Sequence, residues 1–215
     1  MPKKIYVNFV LDETGSMEIC RDATISGFNE FLQGMRGDQK DDDQEVRFTL
    51  TKFNSIRVEV VHDAVPLSEV KELTPNSYRP QELTPLYDAI MTTIHATEHA
   101  IEGQENVSVL CSIMTDGEEN HSREHTREDV FKAIEKKTAE GWTFTYLAAD
   151  QDAWAVGRSM GISQGNTMDY TGTALGTQSA MRGHTHSTGA WMAAGAPTTY
   201  SFYVKRDEDK EKTDA

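Results

Sequence analysis

Apolar side chains form nearly continuous runs at residues 5–11 and 107–114, and residues 143–149 predict a further strand. Runs of this length and composition predict strands that are buried on both faces of a sheet. Two further stretches, residues 46–53 and 56–61, are rich in β-branched and aromatic side chains and also predict strands. The Asn54-Ser55 pair between them predicts a two-residue hairpin turn.

Between these strands, apolar residues recur at intervals of three and four positions, which is the pattern of amphipathic helices. Ile25, Phe28 and Leu32 show this spacing in the first of them. Helices that alternate with fully apolar strands predict an α/β fold, with a mostly parallel sheet covered on both faces and one antiparallel edge strand from the hairpin. The predicted helices cover residues 17–35, 85–101, 130–138, 150–160 and 174–181, and a last short strand covers residues 166–170.

The length of the chain, 215 residues, suits one full-sized domain. We expect this domain to span residues 1–182. From residue 183 onward the hydrophobic periodicity is weak, so we expect residues 183–215 to form a polar C-terminal extension that ends in disorder over residues 205–215. The acidic stretch at residues 38–45 predicts a solvated loop.

The formal net charge of −14 argues against binding to nucleic acids or anionic membranes, because both favour basic protein surfaces. No apolar stretch approaches the roughly 18 residues that a membrane-spanning helix needs. The two cysteines, Cys20 and Cys111, form neither a disulfide framework nor a paired metal motif. We therefore expect a cytoplasmic protein that binds neither nucleic acid nor membrane.

Oxygen-bearing side chains follow two of the apolar runs. Asp12, Thr14 and Ser16 stand at alternate positions after the first run, and Asp116 follows the second. Ligands of open α/β sheets bind outside the carboxyl ends of the strands, so we expect these side chains to share one edge of the sheet. Thr84 should reach the same edge, because it lies in the loop that opens the second helix. Together the five residues predict an all-oxygen site for a hard divalent cation.

Magnesium fits this set of donors best, because Mg²⁺ prefers six oxygen ligands in octahedral geometry. Mn²⁺ or Ca²⁺ could also occupy the site, whereas the lack of His and Cys ligands disfavours zinc. If either carboxylate acts through a water molecule, the cation keeps positive charge and attracts another anion. A carboxylate from an Asp or Glu side chain of a partner protein is then the natural remaining ligand.

Three motifs resemble the metal-ion-dependent adhesion site of von Willebrand factor A domains: Asp-x-Thr-x-Ser at residues 12–16, Thr-Pro-Leu-Tyr-Asp at 84–88 and Thr-Asp-Gly at 115–117. Thr14 departs mildly from the usual serine of the family but keeps the oxygen. The resemblance implies a Rossmann-like, doubly wound sheet of about six strands and a complete metal site. It also implies metal-dependent protein binding without catalysis. Residues 147–153 resemble a segment common in soluble bacterial and phage-encoded members.

The resemblance also implies roles for residues around the metal. Thr84 comes from a separate loop, and in the family this residue exchanges between direct and water-mediated coordination when a partner binds. Glu13, Pro85 and Glu118 adjoin the predicted ligands in sequence. We therefore expect these three residues to form the rim that contacts a partner.

Other interpretations of the same residues stay open. Residues 12–16 could cap the N-terminus of a helix. A strand that ends in aspartate also occurs in phosphohydrolases with an aspartyl nucleophile, but these enzymes need a second aspartate where this chain has Thr14. A metal-assisted phosphohydrolase is therefore one alternative function. A metal-independent structural or assembly role, carried by the acidic surface and tail, is another.

Two further patterns have ordinary explanations. Residues 161–165 match the G-x-S-x-G string of a nucleophile elbow, but an elbow needs a preceding strand and here a helix is predicted. We therefore predict a glycine-rich turn. The pairs His121 and His125, and His184 and His186, are expected to be solvated loop residues rather than metal ligands.

Overall fold

A computed structural model describes residues 3–39 and 44–203 of the chain. Within these residues the strands are β1 (Lys3–Asp12), β2 (Gln44–Asn54), β3 (Arg57–Pro66), β4 (Val107–Thr115), β5 (Thr143–Ala149) and β6 (Thr167–Tyr170). The helices are α1 (Arg21–Asp38), α2 (Leu86–Ile101), α3 (Arg127–Ala139), α4 (Ala153–Ser159) and α5 (Ala174–Ala193). The predicted disordered end, residues 205–215, and residues 40–43 of the predicted acidic loop lie outside the described residues.

The sheet has the strand order β3-β2-β1-β4-β5-β6. Neighbouring strands are parallel except for β2 and β3, which form an antiparallel hairpin at one edge. This confirms the predicted Rossmann-like, doubly wound α/β fold. The chain builds β2 and β3 on one side of β1 and then crosses to build β4, β5 and β6 on the other. The carboxyl ends of β1 and β4 therefore flank the switch point of the topology, where open α/β sheets bind ligands.

Helices cover both faces of the sheet, as its apolar central strands require. Side chains alternate between the two faces along a strand. In β1, Ile5, Val7 and Phe9 belong to the core that α1 and α5 cover. Tyr6 and Val10 belong to the opposite core, which α2 and α3 cover. Burial on both faces fixes the register of β1, and with it the position of the last residue of the strand.

The hairpin differs from the prediction by one residue. Strand β2 continues through Asn54, and Ser55 and Ile56 form the turn. The Oδ1 atom of Asn54 accepts hydrogen bonds from the backbone N–H groups of Ile56 (3.0 Å) and Arg57 (3.2 Å). Asparagine side chains often close turns in this way. Asn54 thus stabilises the turn from the end of the strand instead of occupying one of its two central positions.

Helix α5 continues to Ala193, well past its predicted end at residue 181. The boundary that we predicted between residues 182 and 183 therefore lies inside this helix. His184 and Trp191 are buried, and so is Phe202 beyond the helix. The imidazole of His184 packs against Phe9, with ring centroids 5.8 Å apart. Residues 183–203 thus complete the core rather than forming a polar extension.

Small residues explain why the hydrophobic pattern failed to predict the second half of α5. The buried positions of this half include Gly183, Ser187 and Thr188, which are not strongly apolar. On α1, a Cβ atom at Gly27 would lie 2.8 Å from Cγ of Met181. The two helices approach closely through short side chains, and such an interface produces little hydrophobic periodicity.

Candidate metal centre

Three loops meet at the carboxyl edge of the sheet, beside the switch point. Asp12 ends β1, Asp116 directly follows β4, and Thr84 lies two residues before α2 begins. Distances from Gly117 show how close the loops are to one another. A Cβ atom at Gly117 would lie 3.2 Å from Oγ1 of Thr84 and 3.7 Å from Oγ of Ser16. The hydroxyl groups of Thr84 and Ser16 therefore border the same small space.

The carboxylate of Asp12 is fully buried. Its Oδ1 atom accepts a hydrogen bond from the backbone N–H of Thr14 (2.7 Å), and its Oδ2 atom accepts one from the hydroxyl of Thr115 (2.5 Å). The pKa of Asp12 is raised to about 7, chiefly by burial and to a smaller extent by the nearby charge of Asp116, and the hydrogen bonds only partly oppose this rise. No salt bridge within the described residues involves Asp12, so nothing there compensates the charge of its ionised form.

Ser16 connects the first loop to the third. Its hydroxyl lies 3.2 Å from Oγ1 of Thr14 and donates a 2.6 Å hydrogen bond to Oδ1 of Asp116. Burial raises the pKa of Asp116 as well. Thr14 precedes a 3₁₀ turn at Gly15–Cys20, but its side chain makes no capping hydrogen bond there. The structure thus brings the five predicted ligand residues to one place, and the helix-capping interpretation does not account for Thr14.

The loop after Asp116 holds Thr84 by its backbone. Oδ1 of Asn120 accepts a hydrogen bond from the N–H of Thr84 (2.8 Å), and the N–H of Asn120 donates to the carbonyl of Thr84 (3.1 Å). The carboxylate of Glu119 accepts from the N–H of Tyr87 (3.0 Å) in the first turn of α2. In the part of the chain described here, the Thr84 hydroxyl has no hydrogen-bond partner. Thr84 is therefore fixed in position, while its oxygen is available.

Asp88 completes this attachment from the helix side. Its carboxylate accepts hydrogen bonds from the backbone N–H groups of Arg123 (2.8 Å), Glu124 (3.2 Å) and His125 (2.9 Å). Burial alone would raise the pKa of Asp88, but these hydrogen bonds outweigh it and lower the pKa below its usual value. From the sequence, Asp88 has no role beyond its place in the motif at residues 84–88, and Asn120 has none. The density of polar side chains between residues 117 and 126 was the signal that pointed to Asn120.

Two of the three predicted rim residues are buried, so that part of the prediction is wrong. Glu13 is 1% exposed, and its Oε1 atom accepts hydrogen bonds from Nζ of Lys52 (2.9 Å) and the N–H of Arg79 (2.7 Å). Successive side chains of an extended segment point in opposite directions, so Glu13 does not share the direction of Asp12. Pro85 is buried just before α2, whereas Glu118 is exposed.

The donors at this edge fit a hard cation. Within residues 3–39 and 44–203, no three His, Cys, Asp or Glu side chains are grouped so as to hold a metal ion. A cation here would therefore depend on hydroxyl oxygens as well as on the two carboxylates. Such an all-oxygen set suits Mg²⁺ better than zinc. A divalent cation would also supply the positive charge that the buried carboxyl group of Asp12 lacks.

The other candidate motifs lie elsewhere. Ser163 falls between α4 and β6, so no strand precedes it as a nucleophile elbow requires, and its hydroxyl donates to the carbonyl of Tyr200 (3.1 Å). His125 contacts Asp88, with 3.2 Å between Nδ1 and Oδ1. His184 was expected in a solvated loop, but it is fully buried in the core.

Several solved structures share this fold. Proximal thread matrix protein 1 from the mussel byssus aligns with a TM-score of 0.58 and 12% identity, over 84% of this chain and 45% of that chain. The VWA domain of SpRpn10 aligns with a TM-score of 0.57 and 7% identity, over 83% of this chain and 93% of that chain. The pilus adhesin SpaC from Lactobacillus rhamnosus GG aligns with a TM-score of 0.57 and 13% identity, over 87% of this chain and 30% of that chain.

At these identities the likeness shows the fold alone, which is of the von Willebrand A type. The chain spans less than half the length of the mussel protein. No protein-family model matches the sequence, and no curated protein matches it. None of the helices in the described ranges is long and apolar enough to cross a membrane.

Proposed function

We propose that this protein is a metal-dependent protein-binding module without catalytic activity. In this proposal, Asp12, Thr14, Ser16, Thr84 and Asp116 hold Mg²⁺, and an Asp or Glu side chain of a partner protein completes its coordination. One observation carries the proposal: the hydroxyl of Ser16 bonds to the carboxylate of Asp116, and the hydroxyl of Thr84 borders the same small space beside Gly117.

The mixture of charged and neutral donors supports this function. Three of the five side chains contribute hydroxyl groups, which carry no charge and leave more of the positive charge of a cation uncompensated. Ser16 is exposed and Asp116 is half-buried, so this edge is open to solvent. Bound Mg²⁺ would supply a Lewis-acidic centre that attracts a carboxylate oxygen.

The charge of the whole chain also supports metal dependence. A protein with a net charge of −14 disfavours contact with an acidic side chain, and a cation at the contact offsets this repulsion locally. Removal of the metal should therefore abolish binding. Two of the structural neighbours are a thread matrix protein and a pilus adhesin, and a role in binding or assembly agrees with those descriptions.

Thermal unfolding with and without Mg²⁺ tests the proposed site. A ligand at about 100 times its Kd should stabilise the protein by about 2.7 kcal/mol. Asp12→Ala should lose this stabilisation, whereas Asp63→Ala, which removes an exposed carboxylate from β3, should keep it. If millimolar Mg²⁺, Mn²⁺ and Ca²⁺ all leave the melting temperature of the wild type unchanged, the proposed site is wrong.

Affinity capture from a native lysate tests the proposed binding. Partners should be retained in Mg²⁺ and released by a chelator. If the same partners are retained with and without the chelator, a metal-independent assembly role is favoured. Turnover of a generic phosphate ester that is lost in Asp12→Asn would instead favour a phosphohydrolase.

A further inference from the structure

A cleft opens beside the candidate metal centre, at the carboxyl ends of β5 and β6 and along the first half of α5. Its volume is about 830 Å³, and its lining includes Asp150, Gln151, Asp152, Asp169 and Tyr170. Gln151 also reaches the metal centre, because its Nε2 atom lies 3.5 Å from the carbonyl oxygen of Gly117. The cleft and the candidate metal centre are therefore adjacent parts of one surface.

The cleft is acidic, and nothing that the structure describes neutralises it. Each of its three carboxylates accepts one backbone hydrogen bond: Asp150 from Gly172 (3.0 Å), Asp152 from Ala155 (2.8 Å) and Asp169 from Ala153 (2.7 Å). Among residues 3–39 and 44–203, no salt bridge involves any of these three carboxylates. No Lys or Arg side chain from the described part of the chain lines the cleft either. One oxygen of each carboxylate is left without a protein donor.

The lining favours a long organic cation over a second metal ion. The described part of the chain holds no group of three acidic side chains close enough to bind a metal. Met168, Tyr170 and Ala180 supply an apolar wall. An apolar wall suits the aliphatic stem of Lys or Arg, and the carboxylates suit its charged head.

We propose that this acidic cleft receives a Lys or Arg side chain of the same partner segment whose Asp or Glu binds the cation. The inference rests on the proposed function, because the cation anchors the acidic side chain next to the cleft. The recognised segment therefore carries an acidic and a basic residue within a few positions of each other. Complementary charge at the second contact gives specificity and reduces the repulsion that the acidic protein exerts on an acidic segment.

A library of random 12-residue peptides displayed on phage tests this inference, with selection on the full chain in Mg²⁺ and in EDTA. Asp150→Asn/Asp152→Asn removes two charges and keeps the local structure. Asn tolerates the left-handed backbone at residue 150 (φ +50°) and is a good N-cap at residue 152. Glu102→Gln/Glu105→Gln is the matched control, because it removes two exposed charges near the opposite edge of the sheet.

We expect the wild type to select peptides with an acidic residue and a Lys or Arg at a fixed separation, only in Mg²⁺. For a selected peptide, Asp150→Asn/Asp152→Asn should raise Kd by about tenfold or more, and the Glu102→Gln/Glu105→Gln control by less than about twofold. Replacing the basic residue of the peptide with Gln should cause the same loss on the wild type and little loss on the Asp150→Asn/Asp152→Asn variant.

The failures of the two proposals are distinguishable. Metal-dependent peptides with an acidic residue but no preferred basic residue would overturn the cleft proposal and leave the proposed function standing. Enrichment of apolar residues in place of basic ones would also overturn it. Basic peptides that bind equally in EDTA and depend on Asp150 and Asp152 would support the cleft and contradict the metal-dependent function. No enrichment at all would count against both.

Discussion

The hydroxyl of Ser16 donates a 2.6 Å hydrogen bond to Oδ1 of Asp116, a residue 100 positions away in the chain. The bond joins the loop after β1 to the loop after β4 across the switch point of the sheet. Because Ser16 is exposed, the bond contributes little to the free energy of unfolding. It does hold two predicted ligand oxygens next to each other, close enough to bind the same cation.

Replacing Ser16 by alanine should weaken Mg²⁺ binding by about tenfold, which is about 1.4 kcal/mol, because one hydroxyl ligand is lost. The melting temperature without metal should barely change. Isothermal titration calorimetry measures the affinity. Ser26→Ala is the matched control, since the hydroxyl of Ser26 donates to the carbonyl of Ala23 on α1, away from the predicted ligands. Equal Mg²⁺ affinity in the two variants would show that Ser16 is not a ligand.

Asn120→Ala should loosen Thr84, because it removes the acceptor of the Thr84 N–H. We expect a loss of about 1–2 kcal/mol in the free energy of unfolding, faster hydrogen exchange at the Thr84 amide and weaker Mg²⁺ binding. Asn120→Asp keeps an acceptor oxygen and should restore slow exchange. Asn76→Ala, which removes only an exposed contact to Arg79, is the control. Unchanged exchange in Asn120→Ala would contradict this role.

The ion pair between Glu13 and Lys52 should behave as a buried pair, because both side chains are almost fully enclosed. Lys52→Met leaves the carboxylate of Glu13 with Arg57 as a half-exposed partner at 3.6 Å. We expect this variant to lose about 3–5 kcal/mol of stability in urea unfolding. Glu13→Gln/Lys52→Met should recover much of the loss. If the free energy of unfolding of Lys52→Met lies within about 1 kcal/mol of the wild-type value, the prediction is contradicted.

His184 should make the fold less stable in acid. Burial lowers the pKa of His184 to about 3, whereas an unfolded histidine titrates near 6.5. The unfolded chain therefore binds this proton more readily than the folded one. The contribution of neutral His184 is complete above pH 6.5. It is lost below that pH by up to about 1.4 kcal/mol per unit, down to about pH 3.

His184→Phe isolates this effect, because a phenyl ring fits among the aromatic neighbours Phe31 and Phe202 and cannot be protonated. Urea unfolding from pH 7 to pH 4 should show a shallower decline for this variant than for the wild type. His186→Gln, which removes an exposed imidazole from the same helix, should follow the wild type. Parallel curves for His184→Phe and the wild type would contradict the prediction.

Two glycines of α1 give a matched pair of substitutions. A Cβ atom at Gly27 would lie 2.8 Å from Met181 on α5, so Gly27→Ala should destabilise the protein by about 1–3 kcal/mol through overpacking. A Cβ atom at Gly37 would meet nothing within 4 Å, so Gly37→Ala should be neutral or stabilise by about 0.5–1 kcal/mol. Equal melting temperatures would mean that α1 and α5 are less tightly packed than described.

The parts of the fold that the sequence predicts well are those controlled by burial on two faces. Strand β5 has the predicted bounds, Thr143–Ala149, and all 7 of its residues are buried, as in a strand that is covered on both faces. The positions of Asp12 and Asp116 follow from the same logic. Once β1 and β4 are parallel neighbours, the residues after them must share an edge.

The attachment of Thr84 could not be predicted in this way. It depends on side chains that bond to distant backbone groups, as Asn120 does to Thr84 and Asp88 does to residues 123–125. Such bonds leave no periodic pattern in the sequence. The prediction that Glu13 belongs to the rim is wrong for a related reason, because a residue next to a ligand in sequence need not share its direction in space. Lys52, which stands inside the strand-like stretch at residues 46–53, was the available signal of a buried partner.

The close approach of α5 to α1 decides where this polypeptide can be shortened. A fragment that stopped at residue 182 would leave the rings of Phe9 and Phe31 facing water where His184 now covers them. It would also lose Trp191 and Phe202, which pack against each other at the end of the core. Recombinant versions meant for crystallisation or display should therefore extend at least to Tyr203, although the sequence of the C-terminal part of α5 shows little hydrophobic periodicity.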